Sequence, residues 1–190
     1  MLTGNELVKV LERAPILSIE EVAFRSIQQK YADAPLSAIG SQFGGRYNPP
    51  QTFEALYLAD SEQTSLLEVR TRVETAAGIL DVQGSPRIML SINYKLNAIL
   101  ALCDKSIQRN LGTNLQELTG NWRPLNAQCE IAPTQELGTV AYNLQRFEGL
   151  KVPSSRNDLA YNLIVFHDRL LSESFLRIYD NSGTIIAELP

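Results

Sequence analysis

Four side chains of this 190-residue chain suit one piece of chemistry: Arg46, Tyr57, Glu68 and Ser154. Arg46 sits in the turn Gly44-Gly45-Arg46-Tyr47-Asn48, where two glycines let the backbone bring a planar five-donor cation against a pyrophosphate. Tyr57 offers a flat ring for stacking on a heteroaromatic base, with small Ala55 and Ala59 on its own side of a short strand. Glu68 supplies a carboxylate, and Ser154, in Val152-Pro153-Ser154-Ser155-Arg156, a hydroxyl that orients a carboxylate or a ribose hydroxyl. Together they would hold an anionic nucleotide and break a glycosidic bond. Each also has a plain reading: a turn arginine paired with a surface carboxylate, a core tyrosine, a solvated helix glutamate, a turn serine.

Composition narrows the alternatives. The formal charge is −4, and the 17 Lys and Arg residues are scattered, so direct nucleic-acid binding is not expected. No opening signal-peptide pattern and no apolar run of about 20 residues is present, which leads us to expect a cytoplasmic protein without a membrane span. Cys103 and Cys129 are too few for a disulfide framework and too far apart for a zinc knuckle. His167 is the only histidine and follows an apolar strand, so a structural role is expected and no metal site. Neither GxGxxG nor GxxxxGK[ST] occurs, so any phosphate must be held by arginine.

The elements that must position these groups are legible in outline. Thr3 with Glu6 predicts a capping box ahead of Leu7, Val10 and Leu11, with Pro15 ending the helix. Val22 to Ile27 reads as a strand carrying Arg25, Ala34 to Gln51 as a loop and Ala55 to Ala59 as a strand. Asp60 or Ser61 caps a helix with Leu66, Val69 and Val73 in one stripe and Glu68 nearly opposite, facing either water or a cleft. Arg87 to Asn93 and Ala98 to Cys103 read as strands, and Thr134 caps a helix running to Leu144 and ended by Gly149. Strands over 150–153 and 162–166 follow, and Asn181-Ser182-Gly183 joins a closing hairpin. Without a linker or repeat, the chain is read as one domain over 1–190, of α+β class with mixed or antiparallel sheets and flanking helices.

The order GGRYN, ALYLA, SLLEV, TQELG, VPSSR and NLIVF resembles the RES domain, named for its arginine, glutamate and serine. The resemblance covers most of the chain. It implies Arg46, Glu68 and Ser154 as the name-giving residues, with Ser155 the alternative serine, Tyr57 as the family's tyrosine and Arg25 as a further arginine. The chain departs from the pattern at Tyr47, where tryptophan is usual, and at Ser155, where alanine often follows the serine. By the same resemblance the fold is similar to diphtheria-toxin-like ADP-ribosyltransferases, and the protein is a toxin that consumes NAD+ beside a separate helix-turn-helix antitoxin.

That family implies NAD+ as substrate, with no prosthetic group. Arg46, Arg25 and Asn48 would bind it, Tyr57 would stack on the nicotinamide, and Glu68 would stabilise the oxocarbenium ion. Nicotinamide leaves as a neutral amine and needs no general acid, so a histidine-poor site suffices. Capture by water or phosphate is the expected outcome. Protein mono-ADP-ribosylation is the alternative enzyme, and a non-catalytic nucleotide sensor or interaction module the alternative without chemistry.

Overall fold

The computed structural model describes residues 1–75, 78–82 and 85–190. Helix α1 (Gly4–Arg13) buries Leu7 and Leu11 completely. Its capping box does not form: the Thr3 side chain makes no cap bond, and the Gly4 N–H donates instead to Glu136 Oε1 at 2.9 Å. Strand β1 (Leu17–Gln28) is twice as long as expected, and a loop with a 3-10 turn (Ile39–Phe43) leads to β2 (Leu56–Ala59). Ser61, not Asp60, caps α2 (Glu62–Val69), accepting the Thr64 N–H at 3.1 Å. The predicted stripe fails here. Helix α2 stops before Val73, which falls in β3 (Thr71–Thr75), antiparallel to β4 (Gly78–Val82). Leu66 is more than half exposed, whereas Thr64 and Ser65 are buried.

The two strands expected over 87–103 are one, β5 (Arg87–Ala101), continuous because β1 pairs with it almost end to end. Three short helices follow, α3 (Lys105–Asn110), α4 (Leu115–Thr119) and α5 (Arg123–Ala127), none of them legible in the sequence. Helix α6 (Pro133–Asn143) starts after Ala132 with Thr134 buried inside its first turn, so Thr134 is not its cap. Gly149 does not end that helix but opens β6 (Gly149–Pro153). Strand β7 (Tyr161–Val165) and the hairpin of β8 (Phe175–Tyr179) and β9 (Ile185–Leu189) complete the order.

Seven strands form a mixed sheet in the order β1-β2-β7-β6-β5-β8-β9, antiparallel except for β5 with β6. This is the α+β class read from the sequence. Because β1 also pairs with β5, the strands β5, β1, β2, β7 and β6 close on one another. The seam is weak: β1 and β2 share a single bridge, Phe24 with Ala59. Alternation along β7 feeds two cores. Leu163 and Val165 pack with Leu56, Leu58, Ile92 and Leu96, whereas Ile164 and Phe166 pack with Leu7, Leu11, Leu137 and Leu150 from the helical side. Each of these fully buried leucines contributes roughly 2 kcal/mol of transfer free energy, so both faces of the sheet hold the frame on which the site is built.

Candidate functional site

Where β1 and β2 part after their one bridge, a cleft of about 380 Å³ opens, with Arg25 and Ser26 on one side and Tyr57 and Leu58 on the other. The register of β2, β7 and β6 puts Ala59 opposite Asn162, Asn162 opposite Val152, and Tyr57 opposite Ile164, so these side chains share one face and line the cleft. Helix α2 passes over this face and presents Glu68 to the cleft, which decides between the two directions open to that carboxylate.

Glu68 is held through one oxygen. The Ser154 hydroxyl donates to Oε1 at 2.8 Å and the Asn162 amide donates to the same atom at 2.7 Å. The direction of the first bond is fixed by chemistry. Ser154 Oγ already accepts the backbone N–H groups of Arg156 (3.1 Å) and Asn157 (3.2 Å), so its proton goes to the carboxylate, which offers acceptors only. Ser154 is 7% exposed and lies behind Glu68. Its neighbour Ser155 lines the cleft and accepts from Arg46 Nη2 at 3.0 Å. The two serines thus divide the work, one on the acid and one on the cation. Oε2 of Glu68 takes no hydrogen bond from the described residues.

Arg46 projects from the glycine turn and also donates through Nη1 to the Gly120 carbonyl. Burial lowers its pKa, and the Glu68 carboxylate works in the opposite direction. Two of five donors are engaged, which fixes the fork while leaving N–H groups for an anion. Gly45 leaves room for its neighbours: a Cβ there would run into the Tyr57 hydroxyl and Asn48 Oδ1, so a larger residue would displace the hydrogen bond between them.

Tyr57 is half-buried, and its hydroxyl donates to Asn48 Oδ1 (2.7 Å) while accepting the Tyr47 N–H (3.2 Å). Burial pushes its phenol far above the ordinary range, so it serves as a neutral ring. Asn48 differs from the expectation. It is 0% exposed, its amide donates to the Ser41 carbonyl at 2.7 Å, and it does not line the cleft. Its role is to fasten the turn to Tyr57, because a polar side chain buried in a loop must satisfy its own hydrogen bonds first. Arg25 lines the cleft, but Nη1 and Nη2 each donate at 2.8 Å, to the Pro35 and Ser37 carbonyls. Burial and the nearby Arg87 lower its pKa to about 10. It ties down the wall of the cleft and keeps its remaining N–H groups for a ligand.

Four lining groups lie outside the residues assigned from the sequence: Asn162, Trp122, Arg123 and Arg156. Asn162 was submerged in an apolar run, although a lone amide at the start of a buried strand is itself a signal. Trp122 and Arg123 come from a stretch with no predicted element, and Arg123 lies over the Trp122 ring at 4.9 Å. Arg156 makes a fourth arginine, against Glu68 as the one carboxylate among the described lining residues. Among the described residues no group of His, Cys, Asp and Glu is arranged to hold a metal ion, and no helix is long and apolar enough to cross a membrane.

The RES domain matches residues 22–178. The chain is 40% identical over 128 residues to proteins named NAD(+) phosphorylase MbcT from Mycobacterium bovis and Mycobacterium tuberculosis, a match spanning 63% of this chain and 61% of theirs. A chain in the crystal structure of the M. tuberculosis MbcT–MbcA toxin–antitoxin complex superposes with a TM-score of 0.66 at 23% identity, over 93% of this chain and 91% of that one. At that identity the likeness is one of fold.

Proposed function

The chain belongs to the RES domain family, and from that premise we propose that it is a toxin that consumes NAD+ by cleaving the nicotinamide N-glycosidic bond, with phosphate or water as the acceptor. The observation that carries this reading is the carboxylate of Glu68, fixed by Ser154 and Asn162 in a cleft whose other charged lining residues are arginines. Arg46 and Arg25 bind the pyrophosphate, Tyr57 stacks on the nicotinamide, and the Glu68 carboxylate faces the ribose as positive charge develops at its anomeric carbon. Ser154 and Asn162 hold one oxygen of Glu68 so that the carboxylate is in place before the bond breaks.

The scaffold assigned with this activity is of the diphtheria-toxin-like ADP-ribosyltransferase type, on a single RES-type domain over 1–190. The protein acts in the cytoplasm, where its substrate is available. A separate helix-turn-helix antitoxin neutralises it by covering the cleft near Arg46. Relatives named as NAD(+) phosphorylases and a fold shared with a toxin–antitoxin complex support these assignments. Expression in a bacterial host tests them together. The wild-type chain lowers the NAD+ pool and arrests growth, and Glu68→Gln does neither; an arrest that persists in Glu68→Gln contradicts the reading.

A further inference from the structure

The cleft holds more cation than a dinucleotide diphosphate calls for. Arg25 and Arg46 are anchored to carbonyls and to Ser155. Arg123 and Arg156 also line the cleft, yet neither guanidinium makes a hydrogen bond or ion pair among the described residues; Arg123 rests only on the Trp122 ring. Both side chains are exposed, and together they give this part of the cleft a local positive charge in a chain with 21 acidic against 17 basic side chains.

Their position ties them to the reacting centre. Residues 154–156 serve three ends in succession: Ser154 holds Glu68, Ser155 holds Arg46, and Arg156, whose N–H is bonded to Ser154 Oγ, lines the cleft with an exposed side chain. An anionic acceptor entering there meets two negative groups already in place, the Glu68 carboxylate and the dinucleotide diphosphate. Water meets no such repulsion. Cations beyond those that bind the dinucleotide are therefore what phosphate would need and water would not.

We propose that Arg156, with Arg123, forms a second anion subsite that takes inorganic phosphate as the acceptor. This rests on the reading of the cleft as an NAD+-cleaving site. In the step itself a phosphate oxygen lone pair forms the bond to the anomeric carbon of the ribose. The N-glycosidic bond breaks with its electron pair going to the ring nitrogen, which turns cationic nicotinamide into the neutral amine. Phosphate keeps its own proton, and ADP-ribose 1″-phosphate is the second product, so atoms and charge balance without an acid or base.

The test is steady-state kinetics of the purified full chain, with NAD+ and inorganic phosphate varied independently and nicotinamide and the ribosyl product both followed. Arg156→Gln and Arg123→Gln raise the KM for phosphate roughly tenfold or more while the KM for NAD+ stays within about twofold, a split that also shows the variants to be folded. A KM for NAD+ that rises in step with that for phosphate overturns the proposal and gives both arginines to the dinucleotide. Wild-type release of nicotinamide that ignores phosphate and yields only ADP-ribose overturns it too, while leaving glycosidic cleavage standing. No nicotinamide in any buffer sinks the underlying reading, and the subsite with it.

Discussion

The two donors that converge on Glu68 Oε1 differ in how they are encoded. Ser154 follows a proline and belongs to a local turn, Arg46 follows two glycines, and both groups are legible because turn chemistry is written in adjacent residues. Asn162 is not, because its meeting with Glu68 depends on the pairing of β7 with both β2 and β6 and on a helix 94 residues earlier. Asn48 erred in the other direction: its place beside Arg46 suggested ligand contact, but the loop folds its amide inward. Under the proposed function Asn162 is a positioning residue, and its removal leaves Ser154 as the one described donor to Glu68 Oε1. Asn162→Leu is expected to lower kcat about tenfold with the KM for NAD+ little changed, since one hydrogen bond is lost from the carboxylate that we propose faces the transition state. An unaltered kcat would show that Ser154 alone fixes the carboxylate.

The short strands β2, β6, β7 and β8 and the amphipathic first helix are readable from local pattern, but the full lengths of β1 and β5 and the junctions between elements are decided by tertiary contacts. Val73 fits the stripe of α2 and yet lies in β3, and α3, α4 and α5 have five or six residues each, too few for a helical repeat to register. The union of two expected strands into β5 has a buried counterpart in Glu148, 1% exposed where α6 passes into β6. Its Oε2 accepts the N–H groups of Asn97 (2.6 Å) and Ala98 (2.8 Å), and Oε1 accepts that of Leu171 (2.7 Å). These bonds hold the far part of β5 against β6 and the segment before β8. Glu148→Gln places an NH₂ group against a backbone donor and should cost roughly 2–3 kcal/mol. Urea unfolding checks this, and a midpoint equal to wild type would remove Glu148 from the frame.

The whole molecule is acidic with a cationic cleft, and its frame is fastened by tyrosines that stay protonated. Burial raises the phenols of Tyr47, Tyr57 and Tyr94 far above the ordinary value of 10.0, and that of Tyr161 to about 12. The sign follows from proton binding. Above pH 10 the unfolded chain sheds protons that the fold retains, so this contribution is complete below 10 and is lost as pH climbs through the raised values. The urea midpoint should therefore be lower at about pH 11 than at about pH 8; equal midpoints would mean that the phenols titrate freely in the folded protein. For function, the decisive measurement is free nicotinamide released from NAD+ by the purified chain, with and without phosphate, beside Glu68→Gln. Release by the wild type that falls roughly 10²- to 10³-fold in Glu68→Gln, the scale for one preorganised electrostatic group, is the predicted result. Turnover in Glu68→Gln near that of the wild type, or none in either protein, would contradict it.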